Sequence, residues 1–317
     1  MNDKKIDCLV AGTCVVDFLV RPIPLEEPIG VGKLIHAQPI EATTGGIVSN
    51  SGIALARLGM NVSAFSCVGD DSWATILREA YARAGVDSSA LHVHPTCGTS
   101  ATAVLIDKNS DHSFVYYGGA SEMMDRKMVL DNLDLFARSR MALLGYYSLM
   151  PNLEHDLPET LERIRQTGCR TALDSAGDGG TLEPLDRILP HLDVYVPSYG
   201  EAVPQSGEKD PEKILEVFRD CGTEALLGVK LGEKGALLSP RKGSYLEVKP
   251  VAAPGPVVDT TGAGDSFYAG LLTGLLRGMS AADAGRLGAA AGACCVTGLG
   301  ASAGLRSFEE TAKLAGL

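Results

Sequence analysis

The 317-residue chain alternates strand and helix signals almost from end to end, and no other feature restricts its fold as much. IDCLVAG and VVDFLV read as opening strands, and VSNSGIALARLG as a helix stopped at Gly59. NVSAFSCVG follows as a strand and SWATILREAYARAG as a helix closed by glycine. MALLGYY (strand), LEHDLPETLERIRQTG (helix), then CRTALD, DVYVP and ALLGVKLG (strands) keep the rhythm. The tail from about residue 263 reads as purely helical. Repeated units of this kind pack as a mostly parallel sheet with helices on both faces.

Two stretches interrupt the rhythm. GKLIHAQPIE, ending at Glu41, follows a Pro-rich loop and reads as a strand. TSATAVLIDKNSDHSFVYY, residues 99–117, reads as a hairpin turning at DKNSD. Neither has a helix beside it, so the expectation is a small antiparallel flap. Length alone suggests roughly two domains. The absence of repeats or a linker favours one domain over 1–317, with a lid from inserted segments at about 18–44 and 97–120.

Charge then narrows function. Lys and Arg number 28 against 39 Asp and Glu, a net −11, which opposes nucleic acid or anionic lipid as partners. The eight cysteines are scattered without a CxxC pair, the pattern of buried free thiols in a reducing cytosol. MNDKKIDCLVAGTCVVDFLV superficially resembles a signal peptide, but Asp7 and Asp17 bracket its apolar run and its β-branched residues suit strands. No apolar run reaches membrane-spanning length, so a soluble, cytoplasmic protein is expected. His92 and His94 share a strand face at a spacing open to metal, though no ligand cluster accompanies them. His36, Tyr116 and Tyr117 fall in the lid, where substrate contact and ordinary packing are equally compatible. Trp73 opens a helix and reads as packing.

Two nucleotide motifs fail. GVGKL has Leu34 where a P-loop needs Ser or Thr, and Glu27 where it needs Gly. GAG at 262–264 has Phe267 in place of the third glycine of a dinucleotide fingerprint, which weakens an oxidoreductase reading. DTTGAGDSF, residues 259–267, is more informative. From Ser266 the apolar residues fall on a helical stripe, so the turn before it exposes unpaired backbone N–H groups. Gly262, Ala263 and Gly264 leave those donors open to phosphate. Asp265, on the first helical turn, is expected to stay ionised with a low pKa under the helix dipole, a base adequate for late proton loss in phosphoryl transfer. The plainer reading has Asp265 complementing the dipole and Thr260 or Thr261 capping the helix. Two other glycine turns join the candidate list: GVKLGEKGALL, where Gly232 and Gly235 let backbone approach a ligand, and GGIVSN, which offers Gly45, Gly46 and the Asn50 amide.

These residues resemble the ribokinase-like (PfkB) carbohydrate kinases. DTTGAGDSFYAG matches that family's C-terminal signature and GGIVSNSGIALARLG its N-terminal one. DVYVPSYGEA, VKLGEKGALL and AAAGACCVTGLGA fall in the family's order, so the likeness covers essentially the whole chain. The resemblance implies a three-layer α/β/α sandwich with a mostly parallel central sheet and a small β lid. It implies ATP and magnesium as cofactors, and phosphorylation of a hydroxymethyl group on a sugar or nucleoside. A catalytically silent metabolite-binding relative is the other outcome it allows.

By the same resemblance Asp265 becomes the base and Gly262, Ala263 and Gly264 the anion hole. Asp17, Gly45, Gly46 and Asn50 become the sugar pocket, and Lys230, Gly232 and Gly235 the nucleotide strand and turn. The helix around Gly292 to Thr297 becomes the wall beside adenine. Glu201 is implied to organise magnesium through water. Asp259, Thr261 and the backbone near Cys295 and Gly300 correspond to a monovalent-cation (potassium) loop. Many members dimerise through the lid, a role open to GKLIHAQPIE. The chain departs from the pattern in four places. Ser198 replaces the usual Asn before Glu201, and Val15 replaces the asparagine that holds ribose in ribokinase. Ala176 replaces the Asn of an Asp-x-Asn, and GGIVSN lacks the Lys or Arg of phosphosugar kinases. The expected substrate is therefore a small neutral sugar.

Overall fold

The computed structural model describes residues 5–109, 111–176 and 180–317. Met1–Lys4 of the signal-like start, Ser110 of the DKNSD turn and Gly177 of LDSAG lie outside them. Among the described residues, ten strands form one large sheet. Its order from one edge is Ser244–Val248, Ala236–Arg241, Leu226–Lys230, Val194–Tyr195, Arg170–Asp174, Ser139–Gly145, Ile6–Gly12, Val62–Val68 and Val86–Asp87. Leu91–Val93 also pairs with Val62–Val68. The pairings are parallel except those joining the first three strands of that order.

Period-two patterning explains why both faces are covered. Cys8, Val10, Met141 and Leu143 enter one apolar core, and their chain neighbours Leu9, Ala11, Ala142 and Leu144 enter the other. A strand apolar at every position is stable only with helices on each side. The result is the three-layer α/β/α arrangement expected. Helix Ser72–Ala84 starts with the Asp71 carboxylate accepting from Ala74 N and stops at Gly85, φ 77°.

Three expectations need correction. GKLIHAQPIE is not a strand: only Glu41 belongs to one, Glu41–Gly45, and Val31, Leu34 and Ile40 are exposed. Pro39 cannot donate to a ladder, and these apolar side chains meet no facing surface. The predicted helix LEHDLPETLERIRQTG is two helices, Pro151–Glu154 and Leu157–Gln166, because Pro158 suits a first turn and not an interior. The flap is also mixed rather than antiparallel. Its order is Glu41–Gly45, Val15–Val20, Ala101–Ile106, His112–Tyr117, and the central pair runs parallel. The chain returns from Val20 to Ala101 through the main body, and a crossover of that kind delivers a parallel neighbour.

All eight cysteines are free. The described residues contain no cluster of three or more His, Cys, Asp or Glu able to hold a metal ion. His92 lies edge-on to Phe65, and His94 Nδ1 accepts from the N–H groups of Thr96 and Cys97. Trp73 packs edge-on against Phe18. Among the described residues no helix is long and apolar enough to cross a membrane.

Candidate active site

The carboxyl ends of the parallel strands converge, as open α/β sheets require of a binding crevice. Gly12, Gly145 and Asp174 stand in register there, and Lys230 ends a strand two places along. Two helices begin at the same edge, Gly46–Arg57 and Ala263–Leu276.

Helix Ala263–Leu276 starts at Gly262, whose φ of 75° no side chain favours, and no side chain caps it. The expected Thr caps are absent, and the backbone of both residues turns locally instead. The Thr260 carbonyl accepts from Ala263 N at 3.2 Å, and Thr261 N donates to Asp259 Oδ1 at 2.9 Å. A β-carbon at Gly262 would lie 2.3 Å from Ala301 Cβ. Gly264 is different: the nearest atom to its missing β-carbon is Lys230 Nζ, 3.5 Å away. Apart from Ala263 N, the first-turn N–H groups meet no capping side chain and have an ammonium beside them, a geometry open to an anion.

Asp265 is only 7% exposed. Its Oδ2 accepts from Asn50 Nδ2 at 3.0 Å, and the Tyr146 hydroxyl reaches Oδ1 at 2.8 Å and Oδ2 at 2.9 Å. Burial raises its pKa above the ordinary value, against the opposing pull of Lys230, Tyr146 and Asn50. The low pKa expected from the helix dipole is therefore wrong in sign, because desolvation outweighs a dipole worth at most about 2 kcal/mol. Asn50 Oδ1 is buried without a partner, an acceptor left open beside the base.

Lys230 Nζ stands 3.5 Å from Asp174 Oδ2 and 5.4 Å from the Tyr268 ring centre. Burial works against its charge, but Asp174, Glu201 and Asp265 together hold it above the usual lysine range. Burial pushes Asp174 up, against the pull of Lys230. Glu201 forms a capping box with Ser198: its Oε2 accepts from Ser198 N at 2.7 Å, and Ser198 Oγ accepts from Glu201 N at 3.3 Å. Serine in place of the usual asparagine thus serves as helix cap.

Lys230, Gly264, Ala263 and Thr260 also line a cavity of about 740 Å³. Gly232, Gly235 and Pro250 to Ala253 form one wall, and Ala289, Gly292, Ala293 and Val296 the other. Gly232 faces open space, whereas Gly235 is glycine for the hairpin's sake, since its β-carbon would lie 2.0 Å from the Val248 carbonyl oxygen.

On the small sheet, Asp17 pairs with Thr43 and Thr102, and Thr102 with Tyr116, so the four share one face. Asp17 Oδ2 lies over Gly45, where a β-carbon would be 2.0 Å away. Burial pushes Asp17 up to about 6, with the Thr102 hydroxyl drawing it down. Gly46, φ 77°, turns the chain into the helix that carries Asn50. Tyr117 and His36 point to solvent.

The Asp259 turn closes on itself. Asp259 Oδ1 and Oδ2 accept from Thr261 N and Gly300 N at 2.9 and 2.8 Å. Burial works to raise Asp259, but these donors and His112, 4.0 Å away on the small sheet, hold it below the usual carboxylate range. The Cys295 thiol donates toward the carbonyls of Thr261 and Ala301 at 3.4 and 3.3 Å.

The structure therefore gathers Asp265, Gly262–Gly264, Asn50, Lys230 and Glu201, and places Asp17 with Gly45. It keeps Asp259 and Thr261 in a separate turn behind the helix start. Sequence reading missed Tyr146, Asp174, Thr102 and the His112–Asp259 approach. Tyr146 directly follows one strand and Asp174 ends its neighbour at the crevice edge, and that position is the signal that was available.

Comparison with known proteins identifies the family and the fold. The family model described as pfkB family carbohydrate kinase matches residues 7–307. A ribokinase of Haemophilus influenzae is 29% identical over 307 residues, covering 95% of this chain and 96% of its own. A fructoselysine 6-kinase of Shigella flexneri is 30% identical over 264 residues, covering 82% and 92%. The solved Arabidopsis thaliana ribokinase, complexed with ribose and ATP, superposes with a TM-score of 0.85 at 23% identity, over 98% of this chain and 99% of that one. The fold is ribokinase-like, and with the family model spanning nearly the whole sequence, the chain belongs to the PfkB family of carbohydrate kinases.

Proposed function

We propose that this kinase transfers the γ-phosphoryl group of ATP to a hydroxymethyl group of a small neutral pentose or hexose. The observation that carries the reading is Asp265: a buried carboxylate held by Tyr146 and Asn50 at an uncapped helix start. Asp265 takes the hydroxyl proton, and its raised pKa makes it a stronger base than a free carboxylate. The N–H groups at Gly262–Gly264 and the Lys230 ammonium receive the charge developing on the phosphoryl oxygens. Asp17 accepts sugar hydroxyls, with Gly45, Gly46 and the open Asn50 Oδ1 completing the pocket. The 740 Å³ cavity between Gly232 and Val296 is proposed for the adenine nucleotide. Neutrality of the sugar is supported by the absence of Lys and Arg from GGIVSN and by the acidic Asp17.

Magnesium, bound, supplies charge neutralisation between phosphates. Glu201 would hold it through water: its Oε2 is tied to Ser198 N, and its charge acts on Lys230 and Asp174. The carbonyls of Thr261 and Ala301 and the ionised Asp259 are oxygen donors of the kind a potassium ion takes, though the Cys295 thiol now engages both carbonyls. We assign segments about 18–44 and 97–120, with the small sheet extending them back to Val15 and on to Gly45, as a lid on one domain. A homodimer through the lid is supported by Phe114, Val115 and Tyr117, exposed on its edge strand. Free thiols throughout support a cytoplasmic setting.

The test is ADP release with Mg-ATP across a panel of sugars and nucleosides, with and without potassium chloride, alongside Asp265→Asn. A neutral pentose or hexose should turn over, and Asp265→Asn should lower kcat by a factor on the order of 10² or more while still binding sugar and nucleotide. Turnover of a nucleoside alone would reassign the acceptor. No turnover combined with tight binding of one compound would make the chain a silent relative.

A further inference from the structure

Tyr146 is the only non-glycine residue with positive φ among the described residues, at φ 59° and ψ 47°. Side-chain-bearing residues adopt that backbone rarely, and they cluster at functional positions when they do. The conformation is pinned from both sides. Tyr146 N donates to the Asp174 carbonyl at 3.0 Å, and the Tyr146 carbonyl accepts from Leu149 N at 2.9 Å. The consequence is directional: instead of continuing the strand Ser139–Gly145, the side chain turns across the crevice edge and puts its hydroxyl on both Asp265 oxygens.

We propose that Tyr146 is the positioning residue of the catalytic base, fixing the plane of the Asp265 carboxylate and holding it ionised for the incoming hydroxyl. A carboxylate on a single χ2 bond rotates broadly unless its oxygens are held. The Asn50 amide holds only Oδ2, at 3.0 Å. The phenol straddles both oxygens and so sets the rotation. Tyr146 does not itself move a proton, because burial and the neighbouring Asp265 charge keep its phenol firmly protonated. Packing alone would ask for the ring and not the hydroxyl, and it would not need the left-handed backbone.

The inference rests on Asp265 being the base, so the two are tested side by side. Tyr146→Phe keeps the ring and removes the hydroxyl. Its kcat should fall about tenfold to a hundredfold, the loss of one hydrogen bond to a charged group. KM for sugar and for ATP should stay within about twofold. Removing a donor to the ionised form raises the carboxyl pKa, so the acid limb of the kcat–pH profile should move to higher pH. Circular dichroism and nucleotide binding check the fold. If Tyr146→Phe does not fold, 3-fluorotyrosine at 146 serves instead: its stronger donor should move the acid limb to lower pH. A wild-type kcat and acid limb in folded Tyr146→Phe, or an unmoved limb with 3-fluorotyrosine, overturns the role. If Asp265→Asn keeps turnover, the base assignment falls instead.

Discussion

At the scale of single residues, two carboxylates of one site are tuned by the same force to different ends. Asp265 and Asp17 are both raised by burial, but Asp265 faces a lysine, a phenol and an amide, whereas Asp17 has only the Thr102 hydroxyl to oppose desolvation. In its proposed role Asp17 must be ionised to accept sugar hydroxyls, and its pKa is pushed up to about 6. The sign follows directly: as pH falls through about 6, the acceptor is lost and sugar binding weakens. KM for the sugar should be flat above about pH 7 and rise roughly tenfold by pH 5, with KM for ATP unchanged. Asp17→Asn should show a higher KM that no longer varies over that range. A sugar KM flat down to pH 5 in the wild type would remove Asp17 from the acceptor role. The residues brought together were legible in the sequence, since DTTGAGDSF and GGIVSN supplied the carboxylate and glycines proposed as base and cradle, and Asn50 beside them. The sign of the Asp265 shift was not, because burial depends on the chains that close over it.

At the scale of elements, the start of helix Ala263–Leu276 separates two glycines that look alike in sequence. Gly262 is required by backbone: its φ is 75°, and a β-carbon there would lie 2.3 Å from Ala301 Cβ. Gly264 is required by nothing in the apoprotein, since its β-carbon would make only an ordinary contact with Lys230 Nζ at 3.5 Å. Gly262→Ala should therefore destabilise by about 2–4 kcal/mol through strain and overpacking. Gly264→Ala should melt at or slightly above the wild-type temperature, since alanine is the better helix former. Its methyl group would stand in the cradle, and kcat should fall at least about tenfold. Melting curves and steady-state rates on both variants decide the matter, and a stable, fully active Gly264→Ala would place phosphate elsewhere. Elements themselves were legible where periodicity was strong, as in the buried strand NVSAFSCVG. They failed where proline decides locally: Pro158 starts a new helix in LEHDLPETLERIRQTG, and Pro39 keeps GKLIHAQPIE out of the sheet. The parallel pairing of Val15–Val20 with Ala101–Ile106 was not readable either, because about eighty residues, including part of the main body, separate the two strands.

At the scale of the whole molecule, one short loop joins the small sheet to the helix start. Leu19, Val104 and Ile106 on the sheet bury themselves against Leu299. The next residue, Gly300, gives its N–H to Asp259, whose other oxygen holds Thr261 N, and Ala301 fills the space Gly262 leaves. His112, at the end of the same sheet, approaches Asp259 to 4.0 Å. The seating of the small sheet, the proposed lid, and the shape of the helix start thus share one mechanical connection, with apolar contact at Leu299 as its outer link. Leu299 is only partly buried, so the contact contributes less than the ~1.5–3 kcal/mol of a fully buried leucine, a bias toward the seated position of the proposed lid. Leu299→Ala should loosen the proposed lid without replacing a residue of the proposed base or cradle. Water would then compete with sugar for the phosphoryl group, so ATP hydrolysis without sugar should rise several-fold and KM for the sugar should rise with it. Phosphate release with and without sugar measures both effects. If sugar-free hydrolysis and KM stay at wild-type values, the lid is held elsewhere, and the Leu299 contact serves only the stability of the loop beneath it.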